Sequence, residues 1–206
     1  DAQESRGLGD VYKRQEKTPL TALACQALFA QAMQRFGDAP AGLSEVLIGG
    51  REVGEALVDS HTVALVSATG STRMGRQVGP RVAQRFGRVL LELGGNNAII
   101  VGPTADLDMA ARGIVFGAIG TAGQRCTTTR RLIVHESVAD ALVQRLHKAY
   151  ASAPIGNPLD SGNLVGPLID RVSFDAMQDA LKAAREQGGK VTGGERVLAD
   201  DYPNAW

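Results

Sequence analysis

Aromatic residues are scarce in this chain: five phenylalanines, three tyrosines and one tryptophan make up 4% of its 206 positions. That argues against an aromatic-rich β-sandwich, whereas 25 glycines suit tight turns between strands and helices. Cysteine is scarcer still. Cys25 and Cys126 stand far apart, and neither a C-x-x-C pair nor a cluster of the three histidines accompanies them, so the pattern of a zinc site or a disulfide framework is missing. No sign of charge predominates, with Lys+Arg and Asp+Glu at 22 each; nothing points to nucleic acid or an acidic membrane surface as a partner. No apolar run approaches the ~18 residues of a membrane span, and no signal-peptide pattern opens the sequence. A reducing, cytoplasmic setting is the default expectation. What is present is ordinary for a globular protein: 44% hydrophobic and 21% charged residues.

Strand-like and helix-like segments alternate from residue 18 onward. Thr18-Pro19 reads as an N-cap followed by a first-turn proline. Leu20, Leu23, Ala27, Leu28 and Phe36 then give residues 19–36 an apolar helical face that stops at Gly37, and Cys25 within it is expected to pack in a core. Strands are expected at Glu45–Ile48, His61–Ser67, Arg88–Leu93, Asn97–Val101, Arg131–His135 and near Lys190–Thr192. Helices are expected at Glu52–Asp59, Thr72–Phe86, Asp106–Thr121, Val138–Ala151 and Asp170–Gln187, and the small-residue spacing Gly113-x-x-x-Gly117 is expected to pack closely against another helix. Such alternation indicates βαβ units and a parallel sheet, hence an α/β fold. The ends read differently. Residues 1–15, DAQESRGLGDVYKRQ, lack periodicity and join abruptly onto EKTPLTALAC, and the chain stops at Tyr202–Trp206 where another segment begins. The expectation is an internal fragment with a non-native or disordered leader.

Three segments carry possible chemistry. Gly70-Ser71-Thr72-Arg73-Met74-Gly75 places a small-residue turn between a strand and a helix, where free backbone N–H groups favour an anion. Its spacing is neither G-x-G-x-x-G nor a P-loop, and an ordinary βα turn fits it equally well. Glu92, in Glu92-Leu93-Gly94-Gly95-Asn96-Asn97, puts a carboxylate at the end of an apolar strand, the edge that borders the ligand crevice of open α/β sheets. Partial desolvation there would raise its pKa and suit a general base; a helix cap or an ion pair with an arginine explains it as well. Cys126, in GTAGQRCTTTRR, sits among polar and flexible residues. A free thiol has a pKa of about 8.5 and needs help to ionise near neutrality, which Arg125 and the backbone donors of a Gly/Thr-rich loop could supply. His61, His135 and His147 show no nucleophile-partner pattern. A thiolate forming a covalent adduct, with Glu92 as a separate base that activates water, is the pairing these segments allow.

EKTPLTA, TGSTRMG, LELGGNNAIIV, GTAGQRCTTTRRLIVHESV and IGNPLD, in this order, resemble the NAD(P)-dependent aldehyde dehydrogenase superfamily. The wording GGNNAIIV and GQRCTTTRR is most similar to its antiquitin-like branch, which oxidises 2-aminoadipate semialdehyde in lysine breakdown. The resemblance runs from about Glu16 to Trp206 and implies a Rossmann-like NAD-binding part over 16–93 and part of an α/β catalytic domain over 94–206, both incomplete. It implies that Cys126 attacks the aldehyde to give a thiohemiacetal, that hydride transfer to the nicotinamide leaves a thioester, and that Glu92 activates the hydrolysing water. The Cys126 N–H would be one oxyanion donor. Gly70, Ser71 and Gly75 would lie at the pyrophosphate, Leu93 by the nicotinamide, and Glu16, with Lys13, at the adenosine ribose. A carboxylate at Glu16 disfavours a 2′-phosphate, so NAD is expected over NADP. Arg125 and Thr127 would contact substrate, Arg125 at its carboxylate end, and no metal is implied. The family's full-length members imply a homo-oligomeric parent.

The sequence departs from the family pattern where Arg14-Gln15 replace the usual Pro-Ser after Lys13. An asparagine donor and a ribose-binding glutamate of the family have no counterpart in these residues. Two other functions stay open: a CoA-acylating or phosphate-reducing relative, against which Glu92 speaks, and a catalytically silent homologue, against which Cys126 and Glu92 together speak.

Overall fold

The computed structural model describes residues 17–206 and the backbone of 10–14. It divides between Gly94 and Gly95 into two compact units. The first contains two strand–helix–strand repeats. β1 (Asp10–Arg14) leads through α1 (Leu20–Phe36) to β2 (Ser44–Ile48), and the strands pair in parallel from Asp10↔Ser44 to Arg14↔Ile48. Asp10–Arg14, expected to belong to a leader, is therefore a strand. After α2 (Arg51–Asp59), the second repeat runs β3 (Leu65–Thr69), α3 (Thr72–Gln84), β4 (Arg88–Glu92), again in parallel, with Thr69 opposite Glu92. The second unit has the same plan: β5 (Ala98–Val101), α4 (Leu107–Ile119), β6 (Arg131–Val134), in parallel, followed by α5 (Glu136–Ala151) and α6 (Arg171–Glu186). All three described strand pairs are parallel and joined through a helix, the α/β class expected from the alternation.

Local chemistry explains where the elements begin and end. α1 closes at Gly37, whose φ of 85° lets its N–H reach Met33 O. Its N-cap is Pro19 and not Thr18, with no side-chain cap. α3 ends at Gln84 and not Phe86, because Phe86 turns left-handed (φ 57°) while Phe86 N–H bonds Ala83 O and Gly87 N–H bonds Val82 O. That is the doubled closure of a Schellman end, built here without glycine at the turning position. β3 starts at Leu65, later than expected, because Val63 N–H bonds Ser60 O and the Ser60 and Thr62 hydroxyls join at 2.8 Å, holding a turn. No strand forms at Lys190–Thr192. The following Gly193 and Gly194 are left-handed, and Gln178 Nε2 holds Gly194 O at 2.6 Å, tying this stretch to α6.

The second unit has the better developed core. Val101, Ala111, Ile114 and Leu142 are buried, with Ile99, Leu107, Leu132, Val134, Val138 and Leu146 packed around them. Alternation along β5 and β6 sends Ile99, Val101, Leu132 and Val134 to this side and leaves Ile100 and Ile133, directly opposite each other in the register, on the open side. Asp106 caps α4 by accepting from Asp108 and Met109 N–H at 3.0 Å each. Those bonds, Met109's first, hold its carboxyl below its ordinary range. Leu142 is fully buried, and Leu142→Ala is expected to cost this unit about 2–5 kcal/mol. Urea unfolding followed by circular dichroism would show it, and an unchanged midpoint would remove Leu142 from the core.

In the first unit the expected apolar face of α1 is not covered. Ala22 is buried, and Gln26 docks on β2, donating from Nε2 to Ser44 O at 2.6 Å and accepting from Ser44 Oγ at 3.1 Å. Leu20, Leu23, Leu28 and Phe36 are exposed, and Cys25, expected in a core, is exposed as well. Gln26 is what fastens the helix to β2 in these bonds, and Ala22 is the one helix residue that is buried, a narrower contact than the hydrophobic periodicity implied.

Candidate active site

Cys126 lies in the connection between α4 and β6. α4 stops at Ile119, and a 3₁₀ turn, Gly120–Gly123, follows. Within it Thr121 (φ 56°), Ala122 (φ 51°) and Gly123 (φ 73°) are successive left-handed residues. Such a run is disfavoured for residues with a Cβ, most of all for a β-branched threonine, and strain of this kind concentrates at functional sites. Gln124 fastens the turn, donating from Nε2 to Thr121 O at 3.2 Å and accepting from Ile169 N–H at 2.9 Å.

The next turn is closed at both ends. Thr128 N–H bonds Arg125 O at 3.2 Å, and the buried Thr128 hydroxyl accepts Arg125 N–H at 3.1 Å. Cys126 and Thr127 between them are exposed. Asn97, at the entrance to β5, reaches this turn from the side. Its Nδ2 donates to Cys126 O at 2.6 Å and to Thr128 O at 3.0 Å. The Cys126 N–H has no acceptor among the described residues.

Arg125, expected at a substrate carboxylate, turns back toward α4. Its Nη2 donates to Phe116 O at 3.2 Å, and its guanidinium carbon lies 5.6 Å from the centre of the Phe116 ring. This puts a cation at a helix C-terminus, where the exposed carbonyls favour it. Nε is buried without an acceptor. The small-residue pair Gly113/Gly117 serves no helix–helix contact. A Cβ at Gly113 would meet nothing within 4 Å, while one at Gly117 would come within 2.5 Å of Thr129 Oγ1. Gly117 instead admits the strand of chain leaving the cysteine turn, and Thr129 N–H bonds its carbonyl at 3.0 Å.

The remaining site residues belong to the first unit. Glu92 ends β4, and its backbone carbonyl accepts Gly70 N–H at 2.9 Å. Its side chain is exposed, with no hydrogen-bond or ion-pair partner among the described residues. Neither the expected desolvation nor the competing arginine pair is formed. Ser71 caps α3 through Oγ to Met74 N–H at 3.1 Å. The N–H groups of Ser71, Thr72 and Arg73 have no acceptor among the described residues, which is the donor set a pyrophosphate requires at a helix start. Gly75 is buried, and a Cβ there would come within 2.7 Å of Leu93 Cδ1. Gly75 thus lets Leu93 lie close over α3. Glu16 lies outside the described residues, and Lys13 is described by its backbone alone, opposite Leu47 in the β1–β2 pair. Among the described residues no group of three or more His, Cys, Asp or Glu could hold a metal, and no helix is long and apolar enough to cross a membrane. The histidines show what else that residue does here: His135 caps α5 through Nδ1, and His61 and His147 are exposed.

Sequence reasoning missed Asn97, Thr128 and Gln124. Asn97 reads in the sequence as the first residue of a strand, and only the approach of β5 to β6 shows that its amide meets the cysteine turn.

Parallel strand–helix–strand repeats define the chain as an α/β protein, and in its second unit an exposed cysteine sits on a braced turn. The profile of the aldehyde dehydrogenase family matches residues 9–205, and the chain belongs to that family. It is 48% identical over 193 residues to an aldehyde dehydrogenase family 7 member A1 homologue of Caenorhabditis elegans, which covers 93% of this chain and 36% of the relative. It is 43% identical over 188 residues to the alpha-aminoadipic semialdehyde dehydrogenase of Bos taurus, covering 91% and 35%. Among solved structures it is similar to an NAD-dependent aldehyde dehydrogenase from Sinorhizobium meliloti, with 34% identity, a TM-score of 0.88, and coverage of 93% of this chain and 38% of that one. The chain therefore spans little more than a third of the length of these proteins.

Proposed function

We propose that this chain carries the nucleophile and the base of an aldehyde dehydrogenase that oxidises 2-aminoadipate semialdehyde to the carboxylic acid with NAD. The observation that carries it is the Cys126 turn. The thiol is exposed, the backbone N–H beside it is free, and the neighbouring carbonyls are bound, which is what an attacking thiolate and an oxyanion donor need. Cys126 Sγ adds to the aldehyde carbon, and the new oxyanion is held by the Cys126 N–H. The dinucleotide, when bound, supplies the hydride acceptor. Loss of hydride from that carbon leaves a thioester on Cys126. Glu92, whose carboxylate has no partner among the described residues, takes a proton from the water that hydrolyses it, and the thiol is restored.

The free N–H groups of Ser71, Thr72 and Arg73 support a pyrophosphate at the start of α3, with Gly70 in the turn and Gly75 and Leu93 beneath it. The preference for NAD over NADP rests on Glu16 and Lys13 in the sequence. Arg125 and Thr127 are the proposed substrate contacts, with Arg125 offering Nη1 to a carboxylate while Nη2 stays on α4. The antiquitin-like wording of the motifs and the name of the bovine relative support the semialdehyde. The two distant, exposed cysteines fit a reducing cytoplasm, and a homo-oligomer is proposed for the parent.

The test is an absorbance assay for reduced dinucleotide, on a protein of full family length that contains this sequence. Aminoadipate semialdehyde with NAD should turn over faster than with NADP. Arg125→Ala should raise KM for this substrate by about tenfold or more while leaving that of a simple aliphatic aldehyde little changed. Equal effects on the two aldehydes would remove Arg125 from carboxylate recognition, and no turnover of the semialdehyde would remove the substrate assignment.

A further inference from the structure

We propose that Asn97 is a positioning residue for Cys126, acting through the backbone on either side of the nucleophile. The proposal rests on the assignment of Cys126 as the attacking thiol. A side chain leaves its Cα in a direction set by the two peptide planes that flank it, since each plane is rigid. The preceding plane is fixed at Arg125 O, which accepts Thr128 N–H at 3.2 Å and Arg130 Nη2 at 3.4 Å. A trans peptide sets its N–H opposite its carbonyl, so these bonds also leave the Cys126 N–H facing away from the turn. The following plane is fixed at Cys126 O, whose partner is Asn97 Nδ2 at 2.6 Å. The same nitrogen holds Thr128 O at 3.0 Å and so joins both sides of the turn.

Asn97 is itself anchored. Its carbonyl accepts the N–H groups of Arg130 and Arg131 at 3.0 Å each, at the point where β6 begins beside β5. The amide is therefore mounted on a strand pair, a firmer base than the loop it supports. Two carbonyl acceptors require two donors from one side-chain atom, which an amide nitrogen has. Aspartate of the same shape offers only acceptors, and serine offers one shorter donor. Without the amide, the peptide after Cys126 can rotate, and both Sγ and the oxyanion-binding N–H lose their fixed direction. Misplacement of about 1 Å at such a centre costs roughly 100-fold in rate.

The experiment uses a protein of full family length containing this sequence, with Asn97→Asp and Asn97→Ala. Stopped-flow mixing with aldehyde and NAD reads the rate of the first NADH burst, equilibrium titration reads NAD affinity, and calorimetry reads the melting temperature. Both variants are expected to slow the burst by about 100-fold with NAD affinity held within about twofold. If Asn97→Asp fails to fold, Asn97→Ala, which lets water reach the two carbonyls, carries the test. A burst at the parent rate in Asn97→Ala overturns the proposal. So does a slowed burst accompanied by parallel losses in NAD affinity and melting temperature, which marks a general structural role. Cys126→Ser is run beside them: persistent turnover in that variant overturns the nucleophile assignment, independently of Asn97.

Discussion

Cys126→Ser, in a protein of full family length containing this sequence, is expected to lower NADH formation from an aldehyde by about 10⁴-fold or more while NAD still binds. The serine hydroxyl fits the same exposed turn position, between residues whose backbone bonds do not involve the thiol. The free N–H of residue 126 and the donors at the start of α3 survive, so binding is retained. What disappears is the proposed sulfur nucleophile. A serine hydroxyl ionises far less readily than a thiol and has no base beside it in the described turn. The measurement pairs steady-state NADH absorbance with a fluorescence titration of NAD. Turnover within tenfold of the parent would show that covalent attack occurs elsewhere.

Glu92→Gln is expected to separate the reaction into its halves. Formation of the thioester needs no base at Glu92, so one equivalent of NADH per site should appear at about the parent rate. Hydrolysis then proceeds without proton removal from water, and steady turnover should fall by about 10²–10⁴-fold. Glutamine keeps the length of the side chain, and the one backbone bond of residue 92 that shapes the turn, Gly70 N–H to its carbonyl, is unaffected. Rapid mixing with quantified NADH gives the burst amplitude, and mass spectrometry of the quenched protein should find the acyl group on Cys126. Loss of the burst itself would place Glu92 in the first half of the reaction.

How far the sequence carried depended on the range of the interaction involved. Gly37 as a helix stop and the spans of β5 and β6 are decided by neighbours within a turn or by burial on one side, while Asp106, expected inside α4, caps it from one residue outside. Cys126 and Glu92 stood out because each breaks the local pattern, a thiol among polar residues and a carboxylate on an apolar strand. The errors came where something distant decides. α1 has an apolar stripe, but only Ala22 of the helix is buried and it is Gln26 that bonds β2. Residues 190–192 have strand composition, yet Gln178 holds the glycines after them against α6. The direction of Arg125 depends on the bare Gly120 and the carbonyl of Phe116. Asn97 acts on a turn that follows an entire helix, and no local spacing encodes that.

The pairing order of the strands has a consequence for biosynthesis. Each of β1, β3 and β5 pairs with the very next strand along the chain, across a helix in every case. None of these pairs waits for a strand made much later, so each loop to be closed is short and its entropic cost small. Each pair is therefore expected to be able to close while the chain is still being made. In the last repeat Asn97 O binds the N–H groups of Arg130 and Arg131 where β6 meets β5, so closing that strand pair is also what brings the cysteine turn to the Asn97 amide.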